Sequence, residues 1–174
     1  METGDTDKLP AVDRALDRMK ALIDDILELA KHGESVLDSE PVQLATVVER
    51  GWQNVETAEA TLKIETDATI HADKSQLLQL IENLARNSVE HGGDDVTVTV
   101  GDLDEGFYIE DDGPGIPEDE RNEVFTVGYS TSADGTGFGL RIVKAVTESH
   151  GWDVTIESGV DGGARFEVTD VVFA

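Results

Sequence analysis

Three side chains on one predicted helix, Asn83, Asn87 and His91, stand at i, i+4 and i+8 within ENLARNSVEHGG, residues 82–93. Asparagine is a poor helix former because its amide competes for backbone partners. Four residues advance a helix by about 40° beyond one turn, so the three side chains form one slanting row. That row borders the apolar stripe of Leu77, Leu80, Ile81 and Leu84. Polar groups are thus set against a face that core packing alone would fill with leucine.

Two glycine-bearing stretches follow. In EDDGPGIP, residues 110–117, Asp111 ends an apolar strand, Gly113 and Gly115 free the backbone, and Pro117 opens a new segment. Alone this reads as a turn or as a ligand site, since D-G and P-G are ordinary turn signals. In DGTGFGL, residues 134–140, Gly135, Gly137 and Gly139 alternate and lead into a helix. Such a loop lets backbone N–H groups and the positive helix end face a phosphate, with a flexible loop as the alternative. It is not a Walker loop, because no G-K-[ST] follows, and without a βαβ unit it is not a dinucleotide fingerprint.

The elements that must hold these residues are legible from periodicity. Residues 9–32 read as a helix with Val12, Leu16, Met19, Ile23, Ile26 and Ala30 at 4,3 spacing. Ala15, Leu22 and Leu29 widen the stripe to bundle width. Residues 1–8 read as a disordered start and 33–41 as a linker, with Gly33 and Pro41 as stop signals. Beyond it come a helix from Pro41, strands TLKIET and ATIHA, and a helix over 74–91 with Asp73 as N-cap and Gln76 at the capping-box position. A hairpin of VTVTVG and GFYIED follows, then a short helix PEDERNEVF, a helix ending at Gly151, and two closing strands about GVDGG. Helices interspersed with antiparallel strands point to an α+β two-layer sandwich over 42–174.

Bulk properties exclude several classes. The 174 residues carry 38 Asp plus Glu against 13 Lys plus Arg, a net charge of −25. Phosphate neutralisation needs Lys and Arg, so no nucleic acid is expected as a partner. No apolar run reaches the roughly 18 residues of a bilayer span, and there is no signal-peptide core, so a cytoplasmic chain without membrane contact is expected. There is no cysteine, which excludes disulfides and thiolate metal sites. Evenly spread acids with only six lysines suit a salt-loving microbe, where molar salt screens charge beyond about 3 Å.

An asparagine row, an Asp-x-Gly-x-Gly strand end and a Gly-x-Gly-x-Gly helix start occur in that order within about 60 residues. Together they resemble the ATP-binding domain of sensor histidine kinases, in the superfamily shared with gyrase, the related chaperone and the mismatch-repair ATPases. NLARNSVEH is similar to the asparagine box, DDGPGIP to the first glycine box and GTGFGLRIV to the second. EVF, with Phe125, resembles the phenylalanine box, and GGARFEV the closing glycine and strand. The resemblance covers residues 42–173 and implies a Bergerat-type fold, a mixed sheet with helices on one face.

The resemblance also implies roles. Asn87 would set its amide oxygen on Mg²⁺, which bridges the ATP phosphates, with Asn83 assisting. His91 would lie beside the nucleoside; otherwise it is a helix C-terminal histidine favoured by the dipole. Asp111 would accept from the adenine amino group, with Gly113 and Gly115 allowing close approach and Ile116 packing near the base. Gly135, Thr136, Gly137, Phe138, Gly139 and Leu140 would form the phosphate-facing end of a lid whose mobile part is 121–136. Arg121 would be its nearby basic residue. Arg141 and Lys144 read as surface residues. Glu90 stands where many family members carry a lysine. Hydrolytic relatives have Glu in place of Asn83. Here the carboxylate is Glu82, about 100° around the helix and expected to turn from the site, which favours transfer over hydrolysis.

Helix 9–32 resembles the second helix of the dimerisation and phosphotransfer hairpin, which implies a homodimer through this segment. A phosphoacceptor His is followed by Asp or Glu, and none of His32, His71, His91 and His150 is. The expected acceptor is therefore a helix of the same or another kinase chain, this chain being a fragment or a natural short form inactive in isolation. A response-regulator receiver domain would be the onward partner. Two alternatives stay open: a nucleotide- or partner-binding regulator without phosphotransfer, and an anti-sigma-type serine kinase.

Overall fold

The computed structural model describes residues 9–32, 37–126 and 136–174. Eleven elements follow in chain order among them. They are α1 (Leu9–His32), β1 (Ser39–Gln43), α2 (Leu44–Gln53), β2 (Thr61–Glu65), β3 (Thr69–Asp73), α3 (Lys74–Gly92), β4 (Thr97–Leu103), β5 (Gly106–Asp111), α4 (Gly139–His150), β6 (Asp153–Ser158) and β7 (Ala164–Thr169). A five-stranded sheet has the order β2-β4-β5-β7-β6, with β2 and β4 parallel and the other pairs antiparallel. A separate antiparallel pair joins β1 to β3. The expected α+β sandwich is the observed one, since each amphipathic helix needs an apolar layer to cover its stripe.

The stripe of α3, with Leu77, Leu80, Ile81 and Leu84 all at most 2% exposed, lies in the layer that packs on the sheet. Beside it α2 contributes Leu44, Val47 and Val48, and α4 contributes Ile142, Val143 and Val146. The sheet answers with Val98, Val100, Phe107, Ile109, Val154, Ile156, Phe166 and Val168. The other face is polar: Arg165 lies 3.7 Å over the Tyr108 ring and pairs with Glu110 and Glu167. Single-sided burial explains the alternation in β7 and, apart from the buried Gly101 and Gly106, in β4 and β5.

Asp73 caps α3 as its position predicted. Its Oδ1 accepts from the backbone N–H of Ser75 and Gln76 at 3.0 and 3.1 Å, and its Oδ2 from that of Asp38 at 3.2 Å. Gln76 accepts from the Ser149 hydroxyl at 2.7 Å, tying α3 to α4. Gly151, at φ +73°, ends α4.

Two segments differ from expectation. Residues 39–43, assigned to linker and helix, form β1, so the connection is shorter than 33–41. Pro41 biases Glu40 towards extended backbone, and an edge strand tolerates its missing N–H. The PEDERNEVF segment forms successive turns rather than a helix, with bonds from Glu120, Glu123 and Thr126 to carbonyls three residues back. So short a helix must be supported by packing, and only Val124 is fully buried there.

Helix α1 packs against α4. Leu29 joins the core margin and Leu22 is half-buried, whereas Val12, Leu16, Met19, Ile23, Ile26 and Leu27 are 51–57% exposed. No helix among the described residues is long and apolar enough to cross a membrane.

Candidate functional site

The asparagine row runs from the interior to the rim. Asn83 is 6% exposed, Asn87 is half-buried and His91 is exposed near the end of α3. Asn83 donates through Nδ2 to the Gln79 carbonyl at 2.8 Å, which leaves Oδ1 facing the start of α4. A Cβ on Gly139 would stand 3.2 Å from that oxygen, so glycine there permits the approach. Between the row, the loop after β5 and the start of α4 lies a cavity of about 640 Å³, the size of a small-molecule site.

Ten of the predicted residues line this cavity: Asn83, Asn87, His91, Asp111, Gly115, Ile116, Thr136, Gly137, Gly139 and Leu140. Gly113 sits just behind the wall, where a Cβ would be 2.6 Å from the Gly92 Cα. Phe138 is the N-cap residue of α4 but is not in the lining. Arg121 is not there either. Its guanidinium donates to the Ile116 carbonyl at 3.1 Å and the Ser158 hydroxyl at 2.8 Å, and pairs with Glu157 at 3.6 Å. A ring of partners on the β6 side thus holds it away from the ligand space. Gly135 and most of the expected lid, 127–135, lie outside the described residues. Lys144 pairs with Asp153, in keeping with a surface role.

Asp111 is the buried carboxylate of the site, 7% exposed at the end of β5. Its Oδ1 accepts from the Gly113 N–H at 3.0 Å and the Ala164 N–H at 3.2 Å. Burial raises its pKa, and these two backbone donors offset only part of that shift. A Cβ on Gly163 would fall 1.8 Å from the Asp111 carbonyl oxygen and 2.7 Å from Oδ1, so glycine alone fits beside it.

Helix α4 begins without a side-chain cap on its first N–H groups, which remain available to an anion. Thr136 donates to Asp25 at 2.6 Å, which brings α1 into the wall with Ala21 and Asp24. Glu82, expected to turn away, also lines the cavity, its carboxylate held by Asn54 at 2.6 Å. With Glu90, Asp111 and Glu120, six carboxylates face Arg86 and His91. Sequence reasoning had no signal for the α1 residues, because their approach depends on how α1 docks.

Among the described residues, no three His, Cys, Asp or Glu side chains converge as a metal cage. Neutral amide oxygens on the α3 row fit a magnesium ion, a hard cation that usually keeps waters and shares substrate phosphates.

A buried carboxylate at a strand end, an amide row and an uncapped helix start around one cavity define a nucleotide-binding α+β sandwich. Residues 72–171 match the model of the histidine kinase-, DNA gyrase B- and HSP90-like ATPases. The chain belongs to that family. It is 30% identical over 164 residues to the sensor histidine kinase ZraS of Salmonella typhi, covering 87% of this chain and 35% of ZraS. It is 32% identical over 160 residues to the signal transduction histidine-protein kinase/phosphatase MprB of Mycobacterium avium, covering 85% and 31%. The chain thus spans about a third of the length of these curated relatives. Full-length ShkA, solved in complex with AMPPNP, superposes with a TM-score of 0.76 at 26% identity, over 100% of this chain and 40% of that one. The mycobacterial sensor histidine kinase MprB gives 0.65 at 26% identity, over 78% and 97%. This is the ATP-binding catalytic domain type of sensor histidine kinases.

Proposed function

We propose that the chain acts as the catalytic part of a two-component sensor histidine kinase, holding Mg-ATP for transfer to a histidine on another helix. The observation that carries this is the Asn83 and Asn87 row facing the uncapped start of α4 across one cavity, with Asp111 at its buried end. Asp111 receives the adenine amino group. The N–H groups of the α4 start meet the phosphates, and Asn87 with Asn83 offers oxygens to magnesium, which neutralises phosphate charge when bound. An acceptor imidazole then forms a P–N bond to the γ-phosphorus as the P–O bond to ADP breaks. The protein contributes positioning and charge stabilisation. An amide, Asn83, stands on the cavity wall where hydrolytic relatives carry a carboxylate, and Asn54 holds one oxygen of Glu82, which favours transfer over hydrolysis.

Residues 9–32 supply the second helix of a dimerisation hairpin, and their exposed leucine, isoleucine and methionine stripe supports a homodimer. A receiver domain takes the phosphoryl group onward. The cavity's acidic lining and the net charge of −25 suit a protein of a high-salt, archaeal cytoplasm, where cations attend the triphosphate. The test is calorimetric titration with Mg-ATP in molar KCl, followed by labelled ATP with a phosphoacceptor-hairpin protein. Acid-labile, base-stable label on the hairpin is expected. Absence of nucleotide binding would sink the kinase reading, and acid-stable label on a serine protein would move it to the anti-sigma class.

A further inference from the structure

Among the described residues, the cavity lining holds six carboxylates and a single Lys or Arg, Arg86. Glu82, Arg86 and Glu90 stand at i, i+4 and i+8 on α3, so they form a second slanting row about 100° around from Asn83, Asn87 and His91. Both rows border the same ligand space. The fold makes no use of this guanidinium. Arg121 is held by Ile116, Ser158 and Glu157, Lys144 by Asp153, and Arg165 by Glu110 and Glu167. Arg86 is exposed and enters no hydrogen bond or ion pair among the described residues. A glutamate four residues before a basic side chain is the favoured order for a helical ion pair. Here Glu82 accepts from the Asn54 amide at 2.6 Å instead, and no pair with Arg86 forms.

The level of Arg86 along α3 decides which part of a ligand it meets. The Asp111 end of the cavity adjoins the helix C-terminus, where a Cβ on Gly113 would stand 2.6 Å from the Gly92 Cα. The other end adjoins Asn83, where a Cβ on Gly139 at the α4 start would stand 3.2 Å from Oδ1. Residues 83 and 92 are about 13 Å apart along the axis, and Arg86 lies on the Asn83 side, about 4–5 Å along from it. We propose that Arg86 is a specificity-determining residue, its unpartnered guanidinium taking the terminal phosphate of a bound nucleoside triphosphate beside the α4 start. This rests on the reading of the cavity as a nucleotide site with the base at Asp111. A guanidinium presents a planar fork of donors that matches two phosphate oxygens at once. The α4 N–H groups are dipoles and the two asparagines are neutral, so the full charge that the chain brings to this end is that of Arg86. Carboxylates around it repel each added phosphate, and the last one is retained only where a cation answers it. Arg86 reaches that phosphate without first breaking a contact, and through it the site distinguishes a triphosphate from a diphosphate.

Calorimetry in molar KCl with magnesium compares ATP, ADP and inorganic tripolyphosphate on wild type, Arg86→Ala and Arg86→Lys. Arg86→Ala should weaken ATP about tenfold or more and ADP less than about twofold, with Arg86→Lys recovering part of the loss. The nucleotide-free melting temperature should stay where it is, because an exposed side chain without a partner supports no part of the fold. Equal losses for ATP and ADP, an unchanged ATP affinity, or a lowered melting temperature overturns the proposal. Tripolyphosphate carries the phosphate chain without a base, so it separates this assignment from the nucleotide reading. If wild type binds no ATP, the nucleotide reading fails and tripolyphosphate decides the phosphate contact by itself. Weaker binding to Arg86→Ala than to wild type then upholds the contact, and equal binding or none overturns it.

Discussion

Asp111→Asn tests how this site reads a base, because the substitution keeps shape and reverses hydrogen-bond polarity. In the wild type, Oδ1 is occupied by the Gly113 and Ala164 N–H groups at 3.0 and 3.2 Å. An asparagine must keep its oxygen there, since its NH₂ would otherwise face two donors. The NH₂ is then forced into the other position, and an acceptor at the cavity wall becomes a donor. ATP loses a hydrogen bond to a charged group, typically about 1.5–3 kcal/mol, and its affinity should fall roughly tenfold to a hundredfold. Inosine triphosphate, with an oxygen where adenine has its amine, should lose nothing and gain relative to ATP. The stability effect has the opposite sign. Burial raises the folded-state pKa of Asp111, so the folded protein holds this proton more tightly than the unfolded chain. The resulting stability is present at low pH and lost as pH rises through the raised value. At neutral pH the ionised, buried group is a burden that asparagine removes. Calorimetric titration with both nucleotides and thermal melts at pH 7 check these statements together. A uniform loss of ATP and inosine triphosphate binding, or a lowered melting temperature, would refute the reasoning.

Further outcomes follow from other parts of the site and its frame. Asn87→Ala should weaken Mg-dependent ATP binding at least about tenfold while leaving the magnesium-free affinity little changed, as read by titration with and without EDTA. Gly163→Ala should abolish nucleotide binding and lower the melting temperature, since its Cβ would meet the Asp111 carbonyl oxygen at 1.8 Å, a backbone atom with little freedom to move. Asp73→Ala should cost about 1–2 kcal/mol by denaturant titration through loss of the α3 cap. For Asp73, desolvation is outweighed by donors from Ser75, Gln76 and Asp38, which lower its pKa. The wild type should therefore lose this contribution as pH falls through the lowered value, and Asp73→Asn should flatten that acid limb. Dialysis from molar KCl into dilute buffer should unfold the protein, as circular dichroism would show, because 25 net negative charges then repel unscreened.

Local chemistry and periodicity by themselves determined much of this protein. The α3 stripe, its Asp73 cap, the Gly151 stop and the β4–β5 hairpin are written in patterns a few residues long, and each forms where the pattern places it. The ordered asparagine and glycine motifs led to the cavity because side chains at i, i+4 and i+8 share a face in any helix. Tertiary structure decided the rest. The PEDERNEVF segment had helical spacing but lacked a surface to bury it, and it settled into turns. Arg121 was a reasonable phosphate ligand by proximity in sequence, yet Glu157 and Ser158, far along the chain, hold it elsewhere. Glu82 and the acids of α1 entered the cavity wall through the docking of helices distant in sequence. Asp111 shows the division within one residue. Its place after an apolar strand and before two glycines was legible, but one of its donors, the Ala164 N–H, lies 53 positions on and reaches it only because β7 pairs with β5. A buried carboxylate is satisfied by whatever the fold brings to it, and no spacing rule carries that information.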